Sequence, residues 1–195
     1  MKIRALIIFM FCLILFKGPI YAVTAEVSTE EVRAIVIETL DYMDVEAYPD
    51  ATDILTRAIN KAPNMAELYI LRSECYLQQG EFKRSYDDAL KAHEIAPKWA
   101  IANHACAVCY YFDDTETEYY KYKTIVAIEK NAIDLDPSLA DAYAFRAYSN
   151  YKLKEYGNAW NDVKKLREMG VELDPTFMYM LNKDSGGEPK MFFFF

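Results

Sequence analysis

The stretch GEFKRSYDDALKAHEIAP, residues 80–97, reads as one amphipathic helix opened by a glycine and closed by a proline. Its cadence returns on both sides, ending in AINKAP at Pro63 and in AIDLDP at Pro137. Pro63 and Pro97 stand 34 residues apart (97 minus 63); Ala51, Leu55, Ala58 and Ile59 precede Pro63, and Ser85, Ala89, Ala92 and Ile95 lie at related helical offsets before Pro97. Small residues at such offsets let one helix approach another closely, and larger apolar neighbours fill the groove that remains. A fixed period of this length marks stacked supersecondary units. The later intervals are longer, 40 residues from Pro97 to Pro137 and 38 from Pro137 to Pro175, yet the order of helix, polar break, helix and proline turn persists.

Outward from that stretch, AELYILRSECYLQQGEFKRSYDDALKAHEIAP (66–97) resembles the tetratricopeptide repeat, a helix-turn-helix unit of 34 residues, with Tyr69, Tyr76, Gly80, Phe82, Ala92 and Pro97 on motif positions. It departs from the motif at Ser73, where glycine is favoured, at Ser85, where alanine is, and at Ala89, where an aromatic is. These departures are expected to weaken individual helix contacts and to leave the register intact. The unit before it, from about Val32, keeps Tyr42, Tyr48, Ala51, Ala58 and Pro63; the next, from near Ala100, keeps Tyr110, Tyr122, Ala132 and Pro137 with six extra residues. A fourth, from near Ala140, keeps Tyr143, Tyr156, Ala159 and a late Pro175. The resemblance covers about four units over residues 32–175 and implies an all-α, right-handed solenoid of helical hairpins. A short terminal helix around Pro175 to Leu181, with Phe177, Met178 and Leu181, is expected to cover the last repeat, because the end of a solenoid needs shielding from water.

Local chemistry marks the boundaries. Ser28 with Glu31, and Thr115 with Glu118, have capping-box spacing. Asp136-Pro137 and Asp174-Pro175 suit a turn or a helix start, and Gly80 and Gly170 suit turns that other residues would strain.

The ends divide from the repeats by composition. MKIR is basic, Ala5 to Phe16 is an apolar run, and IYAVTA offers small residues for cleavage after Ala22 or Ala25, so residues 1–25 read as a signal peptide. The run of 12 residues is short of the ~20 that a spanning helix needs, which favours cleavage over an anchor. The expected organisation is a signal peptide (1–25), a repeat domain (26–183) and a flexible or apolar tail (184–195) ending in MFFFF, with the protein periplasmic or secreted; the alternative is a membrane anchor through an uncleaved N-terminus. Without Lys2, Arg4 and Lys17, 19 of the 22 basic side chains remain against 30 acidic ones. That surplus of negative charge argues against nucleic acid as a partner and leaves membrane contact only to the N-terminus or the Phe-rich tail.

In the repeat family the first helix of each unit lines a concave surface that receives a peptide or a partner helix. That resemblance nominates Ile70, Glu74, Leu77 and Gln78 in the second unit, and Ile101, His104, Val108, Tyr111 and Phe112 in the third. In the fourth it nominates Asp141, Ala144, Tyr148, Tyr151 and Lys152. The surface is apolar and aromatic with few cations, so the Lys/Arg/Asn sets that clamp a C-terminal carboxylate in some members have no match. The inference is a scaffold or adaptor that binds another protein or peptide without a cofactor, and is not an enzyme.

Two alternatives stay open. Self-association into a structural repeat of the envelope is one. Thiol redox or metal chemistry is the other, since Cys106 and Cys109 with His104 form H-x-C-x-x-C; a closed metal site, however, needs a further ligand, and Cys75 and Cys109 occupy matching small-residue positions that suit helix packing. The acidic turn in CYYFDDTETEYYKYK (109–123) is a further recognition candidate, and Asp113-Asp114-Thr115-Glu116 has no recognisable calcium cage.

Overall fold

A computed structural model describes residues 30–112 and 115–188. The signal segment, the Ser28–Glu31 capping box, the Asp113-Asp114 part of the acidic turn and the MFFFF end lie outside what is described. Among the described residues there are nine α-helices and no strand: α1 Glu30–Asp44, α2 Tyr48–Lys61, α3 Ala66–Gln78, α4 Phe82–Ile95, α5 Ala100–Tyr111, α6 Glu118–Leu135, α7 Ala140–Lys152, α8 Tyr156–Glu168 and α9 Pro175–Ser185. They belong to two compact units, with α1 to α5 in the first and α6 to α9 in the second.

In the first unit α1 pairs with α2 and α3 with α4, while α2 packs on α3 and α5 on both α3 and α4. Ala51, Ala58, Ala89 and Ala92 are fully buried where helices approach closely, and Leu55, Leu68, Leu71 and Met43 fill the core between them. Full burial of each such leucine stabilises the fold by about 2 kcal/mol. In the second unit α7 packs on α6 and α8, around Ile125, Phe145, Val163 and Leu166.

The proline turns repeat one geometry. Met65, Trp99 and Leu139 each donate a backbone N–H to the carbonyl three residues back, at Ala62, Ala96 and Asp136. The fourth residue of the next helix ties down the first two turns: Tyr69 Oη donates to the Pro63 carbonyl at 3.1 Å and Asn103 Nδ2 to the Pro97 carbonyl at 3.3 Å. Within hairpins the turn demands a left-handed residue. Gly80 supplies it with φ 76°, and the same place is taken by Glu46 (φ 58°) and Lys154 (φ 62°), where a side chain crowds its own backbone.

Two motif departures explain each other. Ser73 Oγ donates to the Ser85 carbonyl at 2.8 Å and lies 3.0 Å from Ser85 Oγ, so the hydroxyls absent from the motif satisfy one another across α3 and α4. Their contact supplies a polar link between the helices at two of the three departures.

The extra residues of the third unit lie between Tyr110 and Tyr122, and four of them form the first turn of α6. This displaces the expected Thr115–Glu118 capping box: Glu118 is the first helical residue, and Thr117 is the N-cap, which makes no side-chain cap hydrogen bond. Asp136 instead accepts from the backbone N–H and hydroxyl of Ser138 at 2.9 and 2.6 Å, closing the turn after α6. Asp174 does cap α9, accepting from the Phe177 N–H at 2.9 Å with Pro175 as the first helical residue. The helix runs to Ser185, four residues past the expected end, and Phe177 and Leu181 are buried while Met178 is half-buried.

Candidate functional site

Six of the nominated residues converge in the first unit. Ile70, Glu74 and Leu77 follow helical spacing along one face of α3, and Ile101, His104 and Val108 do so on α5. The two faces enclose a depression of about 50 Å³, with Ser73, Ala105 and Cys109 as its remaining lining. At the polar side, Gln78 Nε2 donates to Glu74 Oε1 at 2.6 Å, which holds the carboxylate on the rim. The space suits a single small apolar side chain, and no lysine or arginine lines it.

Two of the lining residues, Ser73 and Cys109, form a buried cluster with Ser85, which does not itself line the depression. Cys109 Sγ lies 3.1 Å from Ser85 Oγ and 3.6 Å from Ser73 Oγ. Burial nevertheless pushes the Cys109 thiol up to about 11, against the two serine hydroxyls that pull it down. Burial likewise pushes Cys75 and Cys106 up to about 12. All three are free thiols and buried, and thiols in this state remain protonated at neutral pH and react poorly. Among the described residues no group of three or more His, Cys, Asp or Glu side chains is placed to hold a metal ion.

Tyr111 and Phe112, at the end of α5, meet edge to face at 5.1 Å, and Phe112 stacks on Phe82 at 4.5 Å and 5°. They lie outside the lining of the depression.

Tyr148 and Tyr151 of the second unit are covered by the chain itself, while Lys152 is exposed. Tyr148 is only 9% exposed. Phe177 of α9 lies 6.1 Å from its ring and 5.9 Å from that of Tyr151. Tyr151 Oη donates to Asp184 Oδ2 at 2.7 Å, and Trp160 Nε1 donates to Ser185 Oγ at 3.0 Å. Burial, followed by the Asp184 carboxylate, pushes the Tyr151 hydroxyl up to about 12. Lys152 extends over Tyr122, its Nζ 5.5 Å from the ring centre. The capping helix thus reaches two tyrosines that its sequence alone does not assign to it. Asp141 and Ala144 are also buried.

The most regular polar feature escapes motif reading. Arg72 on α3 makes two bonds to Asp88 on α4, Nε to Oδ2 at 2.7 Å and Nη2 to Oδ1 at 2.8 Å, and reaches Thr56 of α2 at 3.1 Å. Arg146 on α7 repeats this with Asp162 on α8 at 3.0 and 2.6 Å. Each pair spans 16 residues, a separation that no helical period exposes. Burial lifts the Asp162 carboxyl above its ordinary value, opposed by Arg146 and Asn150.

No protein-family model matches the sequence. Among solved structures, the protein is similar to a thermophilic TPR protein of Thermus thermophilus, with TM-score 0.65 and 16% identity over 80% of this chain and 83% of that one. MamA from Desulfovibrio magneticus RS-1 gives a TM-score of 0.57 and 16% identity over 68% of this chain and 71% of that one. The first TPR of Spaghetti (RPAP3), bound to the HSP90 peptide SRMEEVD, gives 0.53 and 19% over 62% and 90%. The helical hairpins of this protein have the tetratricopeptide-repeat fold.

Proposed function

We propose that the protein is an exported interaction scaffold that uses the α3–α5 face to hold a short segment of another polypeptide. What supports this reading is the convergence of six residues from two helices on one small, largely apolar depression with a carboxylate at its rim. A partner that inserts a small aliphatic side chain and carries a basic residue beside it matches both features. An acidic tail does not, because Glu74 opposes it and no cation lines the depression.

The reading is tested with peptides selected against the purified protein. Ile101→Ala, which deepens and blunts the apolar wall, should weaken the best peptide at least about tenfold, equivalent to about 1.4 kcal/mol, without moving the thermal midpoint by more than a few degrees. Equal affinity for the variant removes the depression from the binding surface. Export is part of the same proposal: N-terminal sequencing of the protein recovered from cells should begin at Val23 or Glu26, and a retained Met1 would refute cleavage.

A further inference from the structure

The helices α3, α5 and α7 all begin with alanine, at Ala66, Ala100 and Ala140. Ten residues on stand Tyr76, Tyr110 and Asn150, and Tyr42 holds the corresponding place one period before Tyr76. One ring of the series is therefore missing, in the hairpin of α7 and α8.

What that ring does is visible around Tyr76. It is buried between two guanidinium groups, Arg72 at 5.7 Å and Arg84 at 4.0 Å from its centre, and Arg84 Nη2 also donates to its hydroxyl. Arg72 is itself held between two rings, with Tyr69 at 5.8 Å. Seventy-four residues later (146 minus 72), Arg146 replaces Arg72, Asn158 replaces Arg84 and Asp162 replaces Asp88. Arg146 has Tyr143 at 5.5 Å, but among the described residues no second ring stacks on it.

In place of the ring there is a pocket of about 270 Å³, lined by Arg146, Asn150, Asn158, Asn161, Asp162 and Val126 with Lys130 at its edge. Two features define what it would accept. Asn150 is 3% exposed, and its Oδ1 has no hydrogen-bond partner; a buried acceptor of this kind favours a ligand that brings a donor. Asp162 already engages the Arg146 guanidinium edge through two bonds, so an anion finds that charge neutralised, whereas the flat face of a guanidinium stacks well on an aromatic ring. Lys130 is likewise tied to Asp134 at 2.6 Å. A cavity of about 150 Å³ suffices for benzene in an engineered core, so this one admits a single substituted ring.

We infer that the α6–α8 pocket is a vacated tyrosine socket that binds a phenol ring, stacked on Arg146 and donating its hydroxyl to Asn150. The site is separate from the α3–α5 depression, and neither depends on the other.

The test is titration of p-cresol into the full chain, followed through the side-chain amide resonances of Asn150, Asn158 and Asn161 and the Nε–H of Arg146. A saturable shift of these signals is expected, with 4-methylcyclohexanol, similar in outline but without a π face, at least about tenfold weaker. Asn150→Tyr, which restores the ring of the other units, should abolish the response while raising the thermal midpoint. Should that variant fail to fold, Val126→Phe fills the same space from α6 and should also abolish it. N-acetyl-tyrosinamide separates the two sources: affinity equal to p-cresol assigns a tyrosine carried by a polypeptide, and a tenfold loss assigns a free phenol. The inference is overturned if p-cresol gives no saturable shift, if the shifts survive both fillings, or if the saturated alcohol binds equally well.

Discussion

The α3–α4 and α7–α8 hairpins start from one register and arrive at different interiors. Both carry the arginine-aspartate bridge, yet the first fills its socket with Tyr76, turns on Gly80 and joins its helices through Ser73 and Ser85. The second leaves a pocket at Asn150, turns on Lys154 and meets at Ala147 and Ala159, both fully buried. The first hairpin thus uses its repeat positions for packing. The second retains the frame while giving up a ring, and the shared bridge shows that the frame does not depend on that ring.

The comparison breaks most sharply at the end of the second unit. Phe177→Ala removes the ring that α9 places against Tyr148 and Tyr151, and should cost about 3–5 kcal/mol. Urea titration monitored at Trp160, whose indole bonds Ser185, should show the transition at lower denaturant; an unchanged midpoint would mean that α9 contributes little to the unit.

Next in size are the bridges. Asp162→Ala takes both bonds from a mostly buried guanidinium and leaves it the nearby Glu129 carboxylate, while Asp88→Ala leaves Arg72 its bond to Thr56; each should cost about 2–3 kcal/mol. An unchanged midpoint in chemical denaturation for either variant would show that its bridge carries no weight. The turns come after these: Lys154→Gly should gain, and Gly80→Ala should lose, about 1 kcal/mol, since each moves a side chain out of or into a left-handed conformation. Opposite shifts in thermal midpoint would check the pair.

A further contrast between the units is their response to pH. Cys75, Cys106 and Cys109 all lie in the first unit, and their thiols are raised from 9.0 toward about 11 to 12. Their unfolded forms ionise first, so stability falls as pH rises from about 9 through that window. The corresponding position to Cys75 and Cys109 in α7 is Ser149, which donates to the Phe145 carbonyl at 2.9 Å and does not ionise in that range. Cys106→Ala should flatten the alkaline slope of stability, and an unaltered slope would assign it to other groups.

Particular residues show how far reading along the chain reached. Pro63, Pro97 and Pro137 with the small residues ahead of them were enough for the hairpins, and Asp174-Pro175 for the start of α9, because turn chemistry and capping are local. The resemblance to the repeat family nominated Ile70, Glu74 and Leu77 in one helix and Ile101, His104 and Val108 in another, and these line one depression. That resemblance did not reveal that Phe177 covers Tyr148 and Tyr151. The Ser73–Ser85 contact was equally hidden, because each serine alone looks like a departure from a motif. Asn150 had a signal, the interrupted series Tyr42, Tyr76, Tyr110, but an absent ring becomes a pocket only if neighbours do not close over it.

Sequence by itself determined the succession of helical hairpins, the proline turns between them and the start of α9, since periodicity and backbone preference act within a few residues. Tertiary structure alone decided which polar groups meet across helices, what α9 covers and whether the lost ring leaves space. Those outcomes depend on distances between side chains far apart in the chain, and close packing settles them only when all the neighbouring helices are in place.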